Sequence, residues 1–197
     1  AIEDLNKAIE IKPHEAMAYG NRGNTYKRLG NYRQAIDDYD RFIAIKPDEA
    51  MAYNNRGTAY KGLGNHRQAI EDYNRAIAIR PNYTDAYINR GTAYGILGNY
   101  RQAVEDLNKA IAIKPDGAMA YSNRGHAYAG LGDYGQAIKD FGKAIAIKPD
   151  YVDAYYNRGL VSLKQDDNIS GCRDARKACE LGDCKLLEAA KNGRLCR

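Results

Sequence analysis

Small and apolar residues recur along most of this chain at three- and four-residue steps, the spacing of one face of a helix. Tyr53, Gly57 and Tyr60 follow it, and so do Ala69, Ile70, Tyr73, Ala76 and Ile77. Leu63-Gly64 separates the two runs, and glycine closes a helix at little cost because it accepts the left-handed conformation. Pro81 follows the second run, where its ring and missing N–H stop a helix. The segment reads as two helices joined by a tight turn.

That unit repeats. The five prolines, Pro13, Pro47, Pro81, Pro115 and Pro149, stand 34 residues apart, and none lies off that grid. Asn-Arg-Gly recurs in the same register at 21–23, 55–57, 89–91, 123–125 and 157–159, as do Ala35, Ala69, Ala103 and Ala137. A single helical hairpin cannot bury both of its faces, so such units stack on one another.

The pattern Tyr53-x-x-x-Gly57-x-x-Tyr60, followed by Gly64, Ala69, Tyr73, Ala76 and Pro81, resembles the tetratricopeptide repeat, whose period is the same. It recurs four times in full and once weakened, over roughly residues 1–182. The resemblance implies an all-α fold, a right-handed superhelical solenoid of antiparallel helix hairpins. The expected divisions are 1–15, the second helix of an incomplete repeat beginning at Ala1; repeats at 16–49, 50–83, 84–117 and 118–151; a degenerate repeat at 152–182; and a capping helix and tail at 183–197. The degenerate repeat has Ser162, Asp166 and Gly171 where the others keep tyrosine, glycine and alanine, as suits the end of an array.

One departure from the family pattern carries charge. Where the family usually has leucine, this chain has Arg22, Arg56, Arg90, Arg124 and Arg158. An arginine between packed helices needs a partner. Asp4, Asp38, Asp72, Asp106, Asp140 and Asp174 recur with the same period, which predicts an Arg–Asp ladder between hairpins, chiefly structural.

The formal charge of +5 is modest, and the stretch from Gly171 onward supplies +3 of it. The repeats are nearly balanced, so the continuous basic stripe of a nucleic-acid binder is missing. No apolar run reaches membrane-spanning length. Most of the 17 tyrosines recur in register, which marks packing between helices and not a stacking surface for bases.

All four cysteines, Cys172, Cys179, Cys184 and Cys196, fall in the last 26 residues. An even number clustered where the core is thinnest suggests disulfides in an oxidising compartment, hence export to a periplasm or beyond the cell. Cys172 and Cys179 on one helix would lie about 10 Å apart, too far for a direct bond. Gly182-Asp183 reads as a turn into a short final helix, Cys184 to Asn192, which favours nested pairs Cys179–Cys184 and Cys172–Cys196. Zinc and free thiols in a cytoplasmic protein are the competing readings; against zinc, there is no Cys-x-x-Cys and no nearby histidine.

In the family the sequence resembles, the first helix of each hairpin lines a groove. The resemblance places Asn21, Asn55, Asn89, Asn123 and Asn157 there, similar to the asparagine row with which O-GlcNAc transferases grip peptide backbones. An amide both donates and accepts, so it can pair with a peptide unit without reading its side chain. The alternative is that these asparagines bond within the helix stack. Neighbouring candidates are Asn24, Lys27, Thr58, Lys61, Thr92 and His126, and the lysines predict an acidic preference in the N-terminal half. The two-carboxylate clamp of chaperone adaptors is mostly missing, since Gly20, Asp85 and Asn89 occupy its places.

No phosphate-binding glycine loop or catalytic constellation surrounds His14, His66 or His126, so the chain reads as a non-enzyme without cofactor or metal. Two functions are expected: a scaffold binding a peptide or protein in the groove, or a subunit stacking end to end into a filament.

Overall fold

The computed structural model describes residues 2–196; the expected start at Ala1 and the terminal Arg197 lie outside them. Among the described residues there are twelve helices and no strand. The chain forms two compact units, divided between Leu97 and Gly98.

The first unit holds α1 (Ile2–Ile11), α2 (Ala16–Arg28), α3 (Tyr32–Ile45), α4 (Ala50–Gly62), α5 (His66–Ile79) and α6 (Thr84–Ile96). Helices α2 and α3 form one antiparallel hairpin, α4 and α5 the next, and each helix packs on its sequence neighbours. The second unit holds α7 (Tyr100–Ile113), α8 (Ala118–Gly130), α9 (Tyr134–Ile147), α10 (Val152–Lys164), α11 (Asn168–Glu180) and α12 (Lys185–Asn192), with hairpins α8–α9 and α10–α11. The short last helix begins one residue after Cys184.

The turns follow from the glycines. Gly64 has φ +78°, and beyond it the Asn65 N–H reaches back to the Tyr60 carbonyl, the double-bonded close of a Schellman turn. In the last hairpin Asp166 takes that conformation at φ 60°, which costs a side-chain-bearing residue about 1 kcal/mol or more.

The cores are built on the same period. Tyr39, Tyr73, Leu107 and Phe141, spaced 34 residues apart, are the largest fully buried side chains. Each lies on the second helix of its repeat beside alanines with no measurable exposure, such as Ala69 and Ala76 around Tyr73. Such crossings require the first helix to come close. A Cβ on Gly57 would lie 2.8 Å from the Tyr73 ring and 3.1 Å from the Ala69 carbonyl oxygen. Gly57→Ala should therefore cost about 1–3 kcal/mol by overpacking. Urea denaturation followed by circular dichroism measures this, and an unchanged midpoint would show that the helices have room to part.

The arginines pair inside hairpins, which corrects the expected course of the ladder. Arg22 bonds Asp38 through Nε and Nη2 at 2.9 and 2.6 Å, Arg56 bonds Asp72 at 2.9 and 2.6 Å, Arg124 bonds Asp140 at 2.7 and 2.8 Å, and Arg158 bonds Asp174 at 2.7 and 2.9 Å. A period alone could not choose, because every arginine has an aspartate 16 residues ahead and another 18 behind. The link between hairpins uses Nη1, which reaches the second helix of the preceding repeat. Arg22 donates to Asn6, Arg56 to Asp40, Arg90 to Asn74 and Arg124 to Asn108 at 2.6–2.8 Å. Bonds to Asp72 and Asp40 hold the Arg56 guanidinium above its ordinary pKa against the opposing effect of burial. Asp106 is buried, and Asp4 lies on the exposed side of α1.

Candidate functional site

The first helices of the hairpins turn one face away from the cores. On α2 that face carries Met17, Asn21, Asn24 and Lys27, with Gly20 buried beside them; on α4 it carries Met51, Asn55, Thr58 and Lys61, with Asn54 buried beside them. The exposed and half-buried members of both rows step by four and three residues, the surface neighbours of a helix. α2 and α4 are in direct contact, so the two rows border one strip of surface.

Several expected residues come together in this strip. Asn21, Asn24 and Asn55 share a small depression of about 30 Å³ with Met17 and Met51, floored by Phe42 and Tyr39. Lys27 Nζ donates to Asn55 Oδ1 at 3.0 Å, which draws α2 and α4 together. The Tyr39 hydroxyl donates to Asn24 Oδ1 at 2.7 Å, so a ligand would meet the Nδ2 donor of Asn24. Burial lowers the pKa of Lys27 and of Lys61. Lys27 lies 6.0 Å from the centre of the Tyr39 ring, and its hydrogen-bond partner in the strip is a neutral amide.

Other expected residues serve the stack. Asn89 Nδ2 donates to Asn54 Oδ1 at 3.0 Å, tying α6 to α4. The hydroxyls of Thr58 and Thr92 turn back to the carbonyls of Asn54 and Ile88 at 2.9 and 2.7 Å. Thr58 also lies 3.5 Å from the Tyr73 hydroxyl. In the second unit Asn123 and Asn157 are half-buried on α8 and α10, and His126 is exposed.

Sequence reasoning missed two sets of residues here. Asn54 is buried and hydrogen-bonded to Tyr83 as well as Asn89. Its signal was present: a polar residue on the α4 position that Gly20, Ile88, Ser122 and Tyr156 fill in the other repeats. Met17 and Met51, 45% and 43% exposed, had a fainter signal as unbranched apolar side chains at the outer start of each first helix.

At the C-terminal end, Leu186 and Ala190 of α12 are buried, and Gly159 of α10 approaches Leu186 so closely that a Cβ there would lie 3.0 Å from it. Disulfides join Cys172 to Cys196 and Cys179 to Cys184, with attachment points immediately before and four residues after α12. Among the described residues no group of three or more His, Cys, Asp or Glu could hold a metal ion, and no helix is long and apolar enough to cross a membrane.

The repeating hairpin with this outward strip defines a class. Family models described as tetratricopeptide repeat match residues 16–49, 50–83 and 72–105, and one described as TPR repeat matches 93–132 and 125–166. The chain belongs to the tetratricopeptide repeat family. A crystal structure of MamA protein is 32% identical, with a TM-score of 0.69 over 76% of this chain and 82% of that one. YrrB, described as a TPR protein with an unusual peptide-binding site, is 23% identical, with a TM-score of 0.74 over 98% of this chain and 100% of that one. PilW, described as a widely conserved type IV pilus biogenesis factor, is 19% identical, with a TM-score of 0.85 over 94% of this chain and 87% of that one. The last two share its fold. A search of curated protein sequences gives no match.

Proposed function

We propose that this protein is a non-enzymatic scaffold that holds an extended peptide or a segment of a partner protein on the outward strip of α2 and α4. The observation that carries this reading is the group of half-buried Asn24, Asn55, Lys27 and Lys61, with exposed Asn21 beside them, on α2 and α4. Lys27 is partly stripped of water beside a neutral amide, so an incoming carboxylate meets a cation that has already lost part of its hydration. Beside it Asn21 offers both a donor and an acceptor, and Asn24 its Nδ2 donor, to main-chain amides. YrrB, by its description a peptide-binding protein, shows that the fold is compatible with such a role. The paired cysteines suit an oxidising compartment, and we place the protein in the periplasm or outside the cell on that ground.

Selection of a random peptide display library on the immobilised full chain tests the proposal. Enriched peptides should be rich in Asp and Glu, and should bind an Asn21→Ala/Asn55→Ala variant about tenfold more weakly. Failure to enrich any peptide, or equal binding to the variant, would remove this strip as the binding surface.

A further inference from the structure

The last hairpin departs from the repeat at four positions that meet in one place. Ser162 of α10 stands where Tyr26, Tyr60, Tyr94 and Tyr128 stand in the other repeats. Ser170 of α11 replaces a glutamine, and Arg173 takes the place of Asp37, Glu71 and Glu105, and of Lys139. Gly142 of α9 replaces the Asn or Asp that elsewhere accepts an arginine Nη1. The two serines shorten side chains, Arg173 brings a positive charge, and Gly142 removes an acceptor.

The result is an open cavity of about 270 Å³ lined by Arg158, Ser162, Asp167, Ser170, Arg173 and Asp174. Both carboxylates there are already engaged. Asp174 takes Nε and Nη2 of Arg158 at 2.7 and 2.9 Å, and Asp167 caps α11 by accepting the Ser170 N–H at 3.1 Å. What stays open is a set of donors. Arg158 Nη1 faces the bare Cα of Gly142, where a Cβ would lie 3.5 Å away. The Arg173 guanidinium is exposed. Ser162 is only 3% exposed, and its hydroxyl makes no side-chain hydrogen bond among the described residues.

The matching cavity of the first hairpin has the opposite balance. There Arg22 stands among Glu10, Asp37 and Asp38, and Asn6 holds its Nη1. One cation meets three carboxylates there; in the last hairpin two cations meet two. The end of an array calls for a polar surface, but not for a buried serine in a tyrosine's place.

We propose that this cavity binds a tetrahedral oxyanion, a phosphate or phosphate monoester, between Arg158 Nη1 and the Arg173 guanidinium, with the Ser162 hydroxyl donating from the interior. Planar guanidinium groups present parallel N–H donors that match phosphate oxygens. Arg158 is half-buried, and attraction between charges strengthens as water is excluded. The start of α11 adds its dipole alone, because Asp167 already caps it. The site uses residues of the second unit and stands independently of the peptide reading.

Nuclear magnetic resonance titration of the isotope-labelled full chain with sodium phosphate, at an ionic strength held constant with chloride, tests it. Arg158 Nε and the amides at the start of α11 should shift saturably with phosphate and not with chloride. Gly142→Asn gives Nη1 the acceptor that other repeats supply, where a Cβ has room, and should weaken binding about tenfold. Arg173→Glu, at an exposed position, should do the same. Neither substitution removes a member of the Arg158–Asp174 pair, and a thermal melt confirms each fold. A titration with phosphoserine separates the sources: equal affinity marks a monoester site, and loss of binding marks a site for the free ion. Shifts that chloride reproduces, or phosphate affinity unchanged in either variant, would overturn the proposal.

Discussion

Arg56→Leu should destabilise the first unit by about 3–5 kcal/mol, although leucine is what the tetratricopeptide family usually carries there. The guanidinium bonds both oxygens of Asp72, which is 5% exposed, and also reaches Asp40. Removing it leaves Asp72 as a buried carboxylate with no cation and another carboxylate nearby. Replacing both partners with apolar groups removes the stranded charge, so Arg56→Leu/Asp72→Leu should recover most of the loss. Asp40 is half-exposed, and Asp40→Ala should cost less than about 1 kcal/mol because water screens an exposed pair. Urea denaturation of the three variants measures these differences. A single Arg56→Leu variant within about 1 kcal/mol of the parent would show that the pair contributes little.

The second large effect concerns the C-terminal cap. α12 has eight residues, well short of the roughly 12–15 at which even a favourable isolated helix becomes stable in water. Its order depends on Leu186 and Ala190 packing against the last hairpin and on the two disulfides that bracket it. Cys172 and Cys196 are 24 residues apart, so their bond removes about 3 kcal/mol of chain entropy from the unfolded cap; the separation of 5 for Cys179–Cys184 gives about 2 kcal/mol. Reduction by a dithiol, or Cys172→Ser/Cys196→Ser, should bring the α12 amides to nearly unprotected hydrogen exchange while α8 to α10 remain protected. Equal α12 protection in oxidised and reduced protein would show that packing alone holds the cap.

The helical-hairpin fold was legible because three independent signals share one period. Gly64 closes first helices, Pro81 follows second helices, and Tyr73 with Ala69 and Ala76 fills the crossing between them. Partner choice within that period was not legible. Asp38 and Asp4 stand at nearly equal separations from Arg22 along the chain, and only the antiparallel turn at Gly30 brings Asp38 alongside. The candidate strip was legible where residue type alone suggests the chemistry, as with the asparagines and lysines of α2 and α4. It was hidden where the chemistry arises from a neighbour. Gly20 looks like any helical glycine until the Phe42 ring fills the place of its side chain. Asn89 has a partner that no spacing announces, since one N–H of its Nδ2 goes to Asn54, buried on α4.

The Nη1 bonds act as rivets from each hairpin to the one before, and they end before the last hairpin. In the α9 position matching Asn6, Asp40, Asn74 and Asn108 stands Gly142, which offers Arg158 no acceptor side chain. Among the described residues the side-chain hydrogen bonds of Arg158 go to Asp174 of its own hairpin. The seam between α9 and α10 lacks a fastener that the seam between α7 and α8 possesses. Under denaturant or mechanical load, α10–α12 should peel away as one block before α8–α9 yields, with the cysteine bridges keeping that block intact as it leaves.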